Sequence, residues 1–369
     1  VTENKLETID TPAVLVREAI LVRNLNDMAS FARELGVNLR PHIKSHKIPR
    51  LARIQVNQGA VGIAVAKLDE AEAMIAGGIK DIFVAYPLVT PTKIMRMLRL
   101  AERADISVAA DSQEGIDALA SGAAWAETTV GVVLEIDTGL KRCGVKPNGE
   151  ALALARAIQE KDELEFLGIM THGGHSYLAS DPEKVQEIGR QEGEIMVRLA
   201  RRLEKEGLPC SRVSVGSTPT AKTAGMIKGI TEIRPGNYVF NDLTQVSLGV
   251  AMEEDCSLTA LTRVVSRPAR DRCVVDAGSK TLGMDRGVHG TSIFEGYGKV
   301  KGHPEAVVSS LSEEHGVLSL PPESDIKVGD LLEIIPNRSS PLVNLARTVH
   351  IIRNEEPWEE WEVSALGSN

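Results

Sequence analysis

The chain has 369 residues, a formal net charge of −9, 43% hydrophobic and 25% charged residues. This length and balance suggest two globular domains with ample core material, and an acidic chain without a block of like charge argues against nucleic acid as a partner. A polar N-terminus and the lack of any apolar run long enough to span a bilayer point to a cytoplasmic protein without leader or membrane segment.

Aromatic residues make up only 3%, so the core rests on Ala, Val, Ile and Leu, a bias that suits buried parallel strands under helices. Cys143, Cys210, Cys256 and Cys273 show no metal-type spacing and read as free thiols in a reducing compartment.

In chain order, residues 15–36 read as a lead-in strand and a long helix. From about 36 to 236 a short β-branched run followed by a helical stretch recurs eight times. The runs lie near 38 and at 61–66, 81–86, 106–111, 130–137, 167–172, 212–217 and 232–236. The stretches between them, such as 67–79 and 182–207, repeat apolar residues every three or four positions. Alternating strand and helix in this number and size predicts an α/β fold, a (β/α)8 TIM-type barrel. An open doubly wound sheet is the alternative, but no GxGxxG follows the first strand. After residue 245 short alternating runs with Gly, Pro and Asp turns predict a C-terminal all-β domain. The expected boundaries are 12–245 for the barrel and 246–369, with 1–11, for the β-domain.

Chemistry in a β/α barrel sits where the strands finish. The first strand ends in Arg40-Pro41-His42-Ile43-Lys44-Ser45-His46-Lys47, the fifth in Asp137-Thr138-Gly139 with Arg142 behind it, and the sixth in His172-Gly173-Gly174-His175 with Tyr177. The seventh ends in Gly216-Ser217-Thr218-Pro219-Thr220 and the eighth in Arg234-Pro235-Gly236-Asn237-Tyr238. Loops after the last two strands commonly bind phosphate, and glycines, hydroxyls and backbone N–H groups at a helix start suit a dianion. The Gly-Ser-Thr run alone also reads as an ordinary helix cap. A lysine at a strand end is usually a solvated charge. Lys44, however, lies among Arg40, His42, His46 and Lys47, and neighbouring cations favour the neutral, nucleophilic amine. A phosphate-bearing aldehyde cofactor would use both the amine and the cradle.

The segments RPHIKSHK, VAKLDEAEAM, EIDTGLKRCGV, GIMTHGGHSY, SVGSTPT, RPGNYVFND and DAGSKTLGMD together resemble the D-threonine aldolase and D-serine dehydratase family, relatives of alanine racemase that carry pyridoxal 5′-phosphate (PLP). The resemblance runs in order through nearly the whole chain. It implies Lys44 as the Schiff-base lysine, with Gly216, Ser217, Thr218, Gly236 and Tyr238 around the phosphate. Arg234 would face the pyridine nitrogen and leave it unprotonated; His172 and Arg142 would line the ring, and Tyr177 the substrate side. The resemblance also implies a homodimer.

The segment where the resemblance implies metal ligands departs from the pattern. It reads Pro336-Asn337-Arg338-Ser339-Ser340-Pro341, with Arg338 and Ser340 at the positions of the usual His and Cys or Asp. Arginine does not ligate metals, so a divalent metal is in doubt and Arg338 becomes a candidate substitute cation. It would clamp a carboxylate or stabilise an alkoxide, while the bland alternative is a residue that only fills space. Glu313-Glu314-His315-Gly316 matches the family's EEHG segment and makes His315 a candidate acid or base. The resulting expectation is a PLP-dependent lyase of a D-β-hydroxy-α-amino acid, by retro-aldol cleavage or by dehydration. A metal-independent amino-acid racemase or epimerase is the alternative, and a non-catalytic PLP carrier a third reading.

Overall fold

Eight strands alternate with helices through the first compact unit, Asn26–Gly236. They are β1 (Asn38–Leu39), β2 (Ile63–Val65), β3 (Asp81–Val84), β4 (Asp105–Ala110), β5 (Val130–Ile136), β6 (Leu164–Thr171), β7 (Arg212–Val215) and β8 (Glu232–Ile233). The coordinates, a computed structural model, describe residues 5–367. Every pairing in this sheet is parallel, each strand lies beside the next, and β8 pairs with β1. A bridge between His42 and Ala64 closes the ring. The amides of Val61 and Ala64 support it, donating to the carbonyls of Leu39 at 3.0 Å and Pro41 at 2.8 Å. The predicted eight-stranded barrel is therefore what the β-branched runs build.

Period-two alternation sorts the barrel's side chains into layers. Ala64, Phe83, Ala109, Val133 and Met170 form an apolar layer. Two residues earlier on their strands lie Asp81 and Ser107; two residues later come Asp111, Glu135 and His172. The same spacing sets Arg212, Ser214 and Gly216 on β7, and Glu232, Arg234 and Gly236 on β8 and its continuation, in successive layers.

The helix Pro182–Lys205 packs against β6 and β7. Its start is fixed by Asp181, whose side chain accepts from the Lys184 amide at 2.8 Å, and by proline in the first turn. Val185, Ile188, Met196, Val197 and Leu203 bury its inner face.

The second unit comprises the chain up to Leu25 and Asn237–Leu366. Its long strand Leu258–Ala269 pairs with Arg272–Val275 and with Leu331–Ile335. These three join Lys299–Val300, Val307–Leu311 and Gly316–Ser319 in a closed antiparallel ring. The strand Ala13–Arg17 runs antiparallel to the long strand, with Ala13 opposite Leu261, and parallel to Thr348–Arg353. The compact units meet at Gly236 and Asn237, whereas the sequence reading set the change at 245. Ala13–Arg17, read with the barrel, pairs only within the second unit's sheet. Its five residues are all buried, a pattern that says strand but does not name the partner.

Candidate active site

The turn Ile43–Ser45 leaves β1 and carries Lys44 exposed at the barrel's C-terminal rim. The Lys44 amide donates to the His42 ring at 3.4 Å. His46 is different in kind. It is 1% exposed, accepts from the Ile48 amide at 3.0 Å and faces Gln55 at 3.2 Å. Burial pushes its pKa down to about 3, so it braces the turn as a neutral ring.

Three cations and two imidazoles crowd one rim. Enclosure first, then the charges of Lys44, Arg234 and Arg142, hold His42 well below the usual histidine range. Enclosure and the same cations do so for His172. The His172 Nδ1 lies 3.4 Å from the Gly216 carbonyl; a carbonyl only accepts, so the neutral ring carries its proton there. Arg234 is 5% exposed and donates to the Ser214 hydroxyl, the Thr171 carbonyl and, at 3.3 Å, the Met170 sulfur. Its burial lowers its pKa, against the charges of Glu232, Glu192 and Glu135.

Arg142 is presented by the loop after β5, which folds back on its own strand. Asp137 accepts from the amides of Gly139 and Lys141 at 2.9 and 3.0 Å, and Asp111 from that of Gly144 at 2.9 Å. The Val145 amide returns to the Glu135 carbonyl at 3.0 Å. The guanidinium then sits 4.0 Å from the buried Glu135 carboxylate. Burial pushes Glu135 up to about 7, opposed by Arg142, with Asp111 adding to the rise.

The loop after β7 makes a cradle. Gly216 has φ +110°, which a side chain rarely adopts. The Thr218 hydroxyl accepts from the Gly236 amide at 3.2 Å and joins the seventh and eighth strand ends. A Cβ on Gly236 would come within 2.8 Å of the His42 carbonyl and the Ser45 hydroxyl. The cradle therefore touches the Lys44 turn directly. The Ser217 hydroxyl lies 3.1 Å from Thr220 and 3.4 Å from Ser176. Among the described residues the Thr218 amide donates to no chain atom, which leaves it for an anion. A lysine amine, a glycine-hydroxyl cradle with the free Thr218 amide, and two further cations on one rim fit a phosphate-bearing aldehyde.

The barrel thus gathers Lys44, Arg142, His172, Gly216, Ser217, Thr218, Arg234 and Gly236, with Tyr177 half-buried in the turn Gly174–Leu178 beyond β6. Tyr238, His315 and Arg338 belong to the second unit. Tyr238 is buried in the turn Asn237–Val239. His315 is exposed in a tight turn where the Ser312 amide donates to its carbonyl at 2.9 Å. Arg338 pairs with Asp285 at 2.8 Å and not with His315. The flanking Asn337 donates to the Asp285 and Gly296 carbonyls at 3.0 and 2.8 Å, and the Ser339 amide to Asp242 at 2.9 Å. Arg338 and Ser340 do not form a metal-binding set, because a guanidinium offers no lone pair. Among the described residues Asp111, Glu135 and Cys143 alone cluster with metal-like spacing, and Arg142 lies against them. Sequence reasoning missed two buried carboxyls at this rim, Glu135 and Glu192. The glycines at 189 and 193, one turn apart around Glu192, were the available signal for the second.

The model of the alanine racemase N-terminal domain matches residues 16–243, and that of a putative serine dehydratase domain matches 257–352. The chain belongs to the D-threonine aldolase and D-serine dehydratase family. Within this family it is 35% identical to D-threo-3-hydroxyaspartate dehydratase of Delftia sp. (strain HT23), covering 91% of this chain and 92% of that protein. The solved structure of that dehydratase superposes with a TM-score of 0.93 at 33% identity, over 98% and 99% of the two chains. D-threonine aldolase of Arthrobacter sp is 31% identical over 98% of this chain and 94% of its own. A crystal structure of D-threonine aldolase from Filomicrobium marinum gives a TM-score of 0.90 at 30% identity, covering 97% and 96%.

Proposed function

We propose that the chain is a PLP-dependent lyase of a D-configured β-hydroxy-α-amino acid, with Lys44 as the amine that holds the cofactor. The observation that carries this reading is the Gly236 contact, which sets the Lys44 turn against the Gly216–Thr218 cradle. When bound, the cofactor supplies an electrophilic carbon for amines and a conjugated ring that accepts negative charge from Cα.

The remaining roles fall to the chain's side chains. Gly216, Ser217, Thr218 and Gly236 hold the phosphate, with the Tyr238 hydroxyl as a further donor. His172 and Arg142 flank the ring and Tyr177 the substrate. Arg234, a donor that never accepts, faces the ring nitrogen and keeps it unprotonated. His42 and His172, held well below the usual histidine range, are weak bases, so Lys44 would move the proton at Cα. His315 takes the β-hydroxyl proton in cleavage. Arg338 supplies a fixed positive charge for a carboxylate or for the oxygen released from Cβ. No divalent metal enters this reading at Arg338 and Ser340. Retro-aldol cleavage to glycine and an aldehyde leads over dehydration, because hydroxide leaves poorly without a metal or acid. The same reading takes the enzyme as a cytoplasmic homodimer acting on a free amino acid.

The test is metal-stripped enzyme given a panel of D- and L-β-hydroxy amino acids, with aldehyde, keto acid and inverted amino acid measured together. Aldehyde with glycine, or keto acid with ammonia, supports the lyase and names its branch. Inversion alone moves the protein to the racemases.

A further inference from the structure

Beneath the cradle lies a carboxyl that the reading above does not use. Glu192 is 1% exposed on the helix Pro182–Lys205. Its Oε1 accepts from the Gly216 amide at 2.8 Å. Its Oε2 is buried without a partner in full hydrogen-bond geometry, and the Gly173 backbone and the Thr220 hydroxyl are its polar neighbours. That oxygen faces Gly173, where a Cβ would fall 2.1 Å from it and 2.9 Å from the Thr220 hydroxyl. Both strand-end glycines, 173 after β6 and 216 after β7, therefore pack on this one side chain.

The helix is shaped to bring Glu192 there. A Cβ on Gly189 would meet Thr223 at 3.0 Å, and one on Gly193 would meet Ile227 at 2.7 Å. Larger residues would hold the helix away from the segment that follows the cradle. Glycines inside a helix cost about 1 kcal/mol each relative to alanine, so their use on either side of Glu192 marks the close approach as functional packing.

We propose that Glu192 is a positioning residue for the cofactor phosphate, holding the Gly216 loop in its anion-binding shape as an uncharged carboxylic acid. Gly216 uses its own amide on Glu192, which leaves the next free amide, that of Thr218, to face the anion. A charged carboxylate on the far side of the same glycine would repel a phosphate dianion across a dry layer. A proton on Oε2 removes that charge. The groups facing Glu192 agree with this state. Burial raises its pKa, opposed by the Thr220 hydroxyl, the Gly216 amide, the charge of Arg234 and the Gly173 backbone. Among these groups of the described residues Arg234 carries the charge; His172, hydrogen-bonded to the Gly216 carbonyl, is neutral. Glu192's own helix offers the apolar Ile188 and Met196 there.

This inference rests on the PLP reading, and one experiment separates the two. Cofactor-free wild type, Glu192→Gln and Glu192→Ala are titrated with PLP and with pyridoxal, which lacks the phosphate. Retention is read by borohydride trapping and fluorescence, and apoprotein stability by thermal unfolding. Glu192→Ala is expected to weaken PLP on the order of 30-fold, as when a fixed polar partner is lost, and to leave pyridoxal unchanged. Glu192→Gln, a neutral isostere, should hold PLP within about 3-fold of wild type. Where Glu192→Ala fails to fold, Glu192→Asp, too short to reach Gly216, replaces it with the same expectation. Equal weakening of PLP and pyridoxal would reduce Glu192 to a structural role. Tightening of PLP by about 10-fold or more in Glu192→Gln would mean that the wild-type carboxylate is charged. A wild type that holds both compounds equally overturns the phosphate cradle itself.

Discussion

The two ends of the barrel carry buried charge in opposite ways. At the strand starts Arg40 donates to Glu232 at 2.8 Å and to Asp81, Ser214 donates to Glu232 at 2.6 Å, and Arg212 lies 3.7 Å from Glu232. Two cations meet two carboxylates. At the strand ends Lys44, Arg142 and Arg234 face two neutral imidazoles and carboxyls whose own charge is suppressed. Phe83 lies 5.4 Å from the Arg212 guanidinium and 5.9 Å from that of Arg234, and the Ser214 hydroxyl links the clusters, accepting from Arg234 and donating to Glu232. The same walls thus enclose a balanced cluster and a cationic one. Balanced buried charge holds a structure together, whereas unbalanced charge on an open rim is kept for a ligand.

Four substitutions test this contrast, from the largest effect down. Lys44→Ala should abolish borohydride-fixed cofactor and lower turnover on the order of 10⁴-fold, with thermal stability unchanged. Retained covalent label would move the amine elsewhere. Arg40→Met at the opposite end should cost about 3–5 kcal/mol of stability by stranding Glu232, read by urea denaturation. The folded fraction should keep its turnover number, and a fall in turnover with intact stability would erase the distinction between the ends. Arg338→Ala in the second unit should lower kcat/KM roughly 100-fold with little change in unfolding midpoint. An unchanged rate returns Arg338 to a space-filling role.

Glu135→Gln is the mildest. Burial holds the Glu135 carboxyl at about 7, above its ordinary value of 4.5. Folding therefore favours its protonated form. Its contribution to stability is full below about 4.5 and is lost as pH rises through about 7. Glutamine does not titrate, so the stability difference between pH 5 and pH 8 should narrow in this variant. An identical pH profile would show that Arg142 already keeps Glu135 charged.

The sequence made the barrel plain because each strand is short, β-branched and followed by an amphipathic helix. It also exposed the rim residues, since a strand end can be read one residue at a time. Val307–Leu311 and Glu356–Glu362 escaped notice. The first carries two exposed serines and the second alternates charge with tryptophan, so neither shows a continuous apolar run. Glu135 and Glu192 were hidden for a different reason. Glu135 looks like one polar position in a buried strand, and Glu192 like one of many charges on a long helix. What distinguishes them is enclosure by residues distant in sequence, which no local pattern records. His46 was the converse, a rim histidine by sequence that the fold turns inward to Gln55.

The pairing of Ala13–Arg17 with Leu258–Leu261 and with His350–Ile352 also sets the order of biosynthesis. Ala13–Arg17 is synthesised before both of its partners and waits for them. All eight strands of Asn26–Gly236 are synthesised in between and can close their ring meanwhile. Until those partners emerge, Ala13–Arg17 offers unpaired edges to any extended peptide nearby. A C-terminal fragment beginning at Asn237 would lack this strand and leave Leu258–Leu261 open along one side. Expression of the second unit therefore requires a graft of residues 5–25, joined ahead of Asn237 by a short linker.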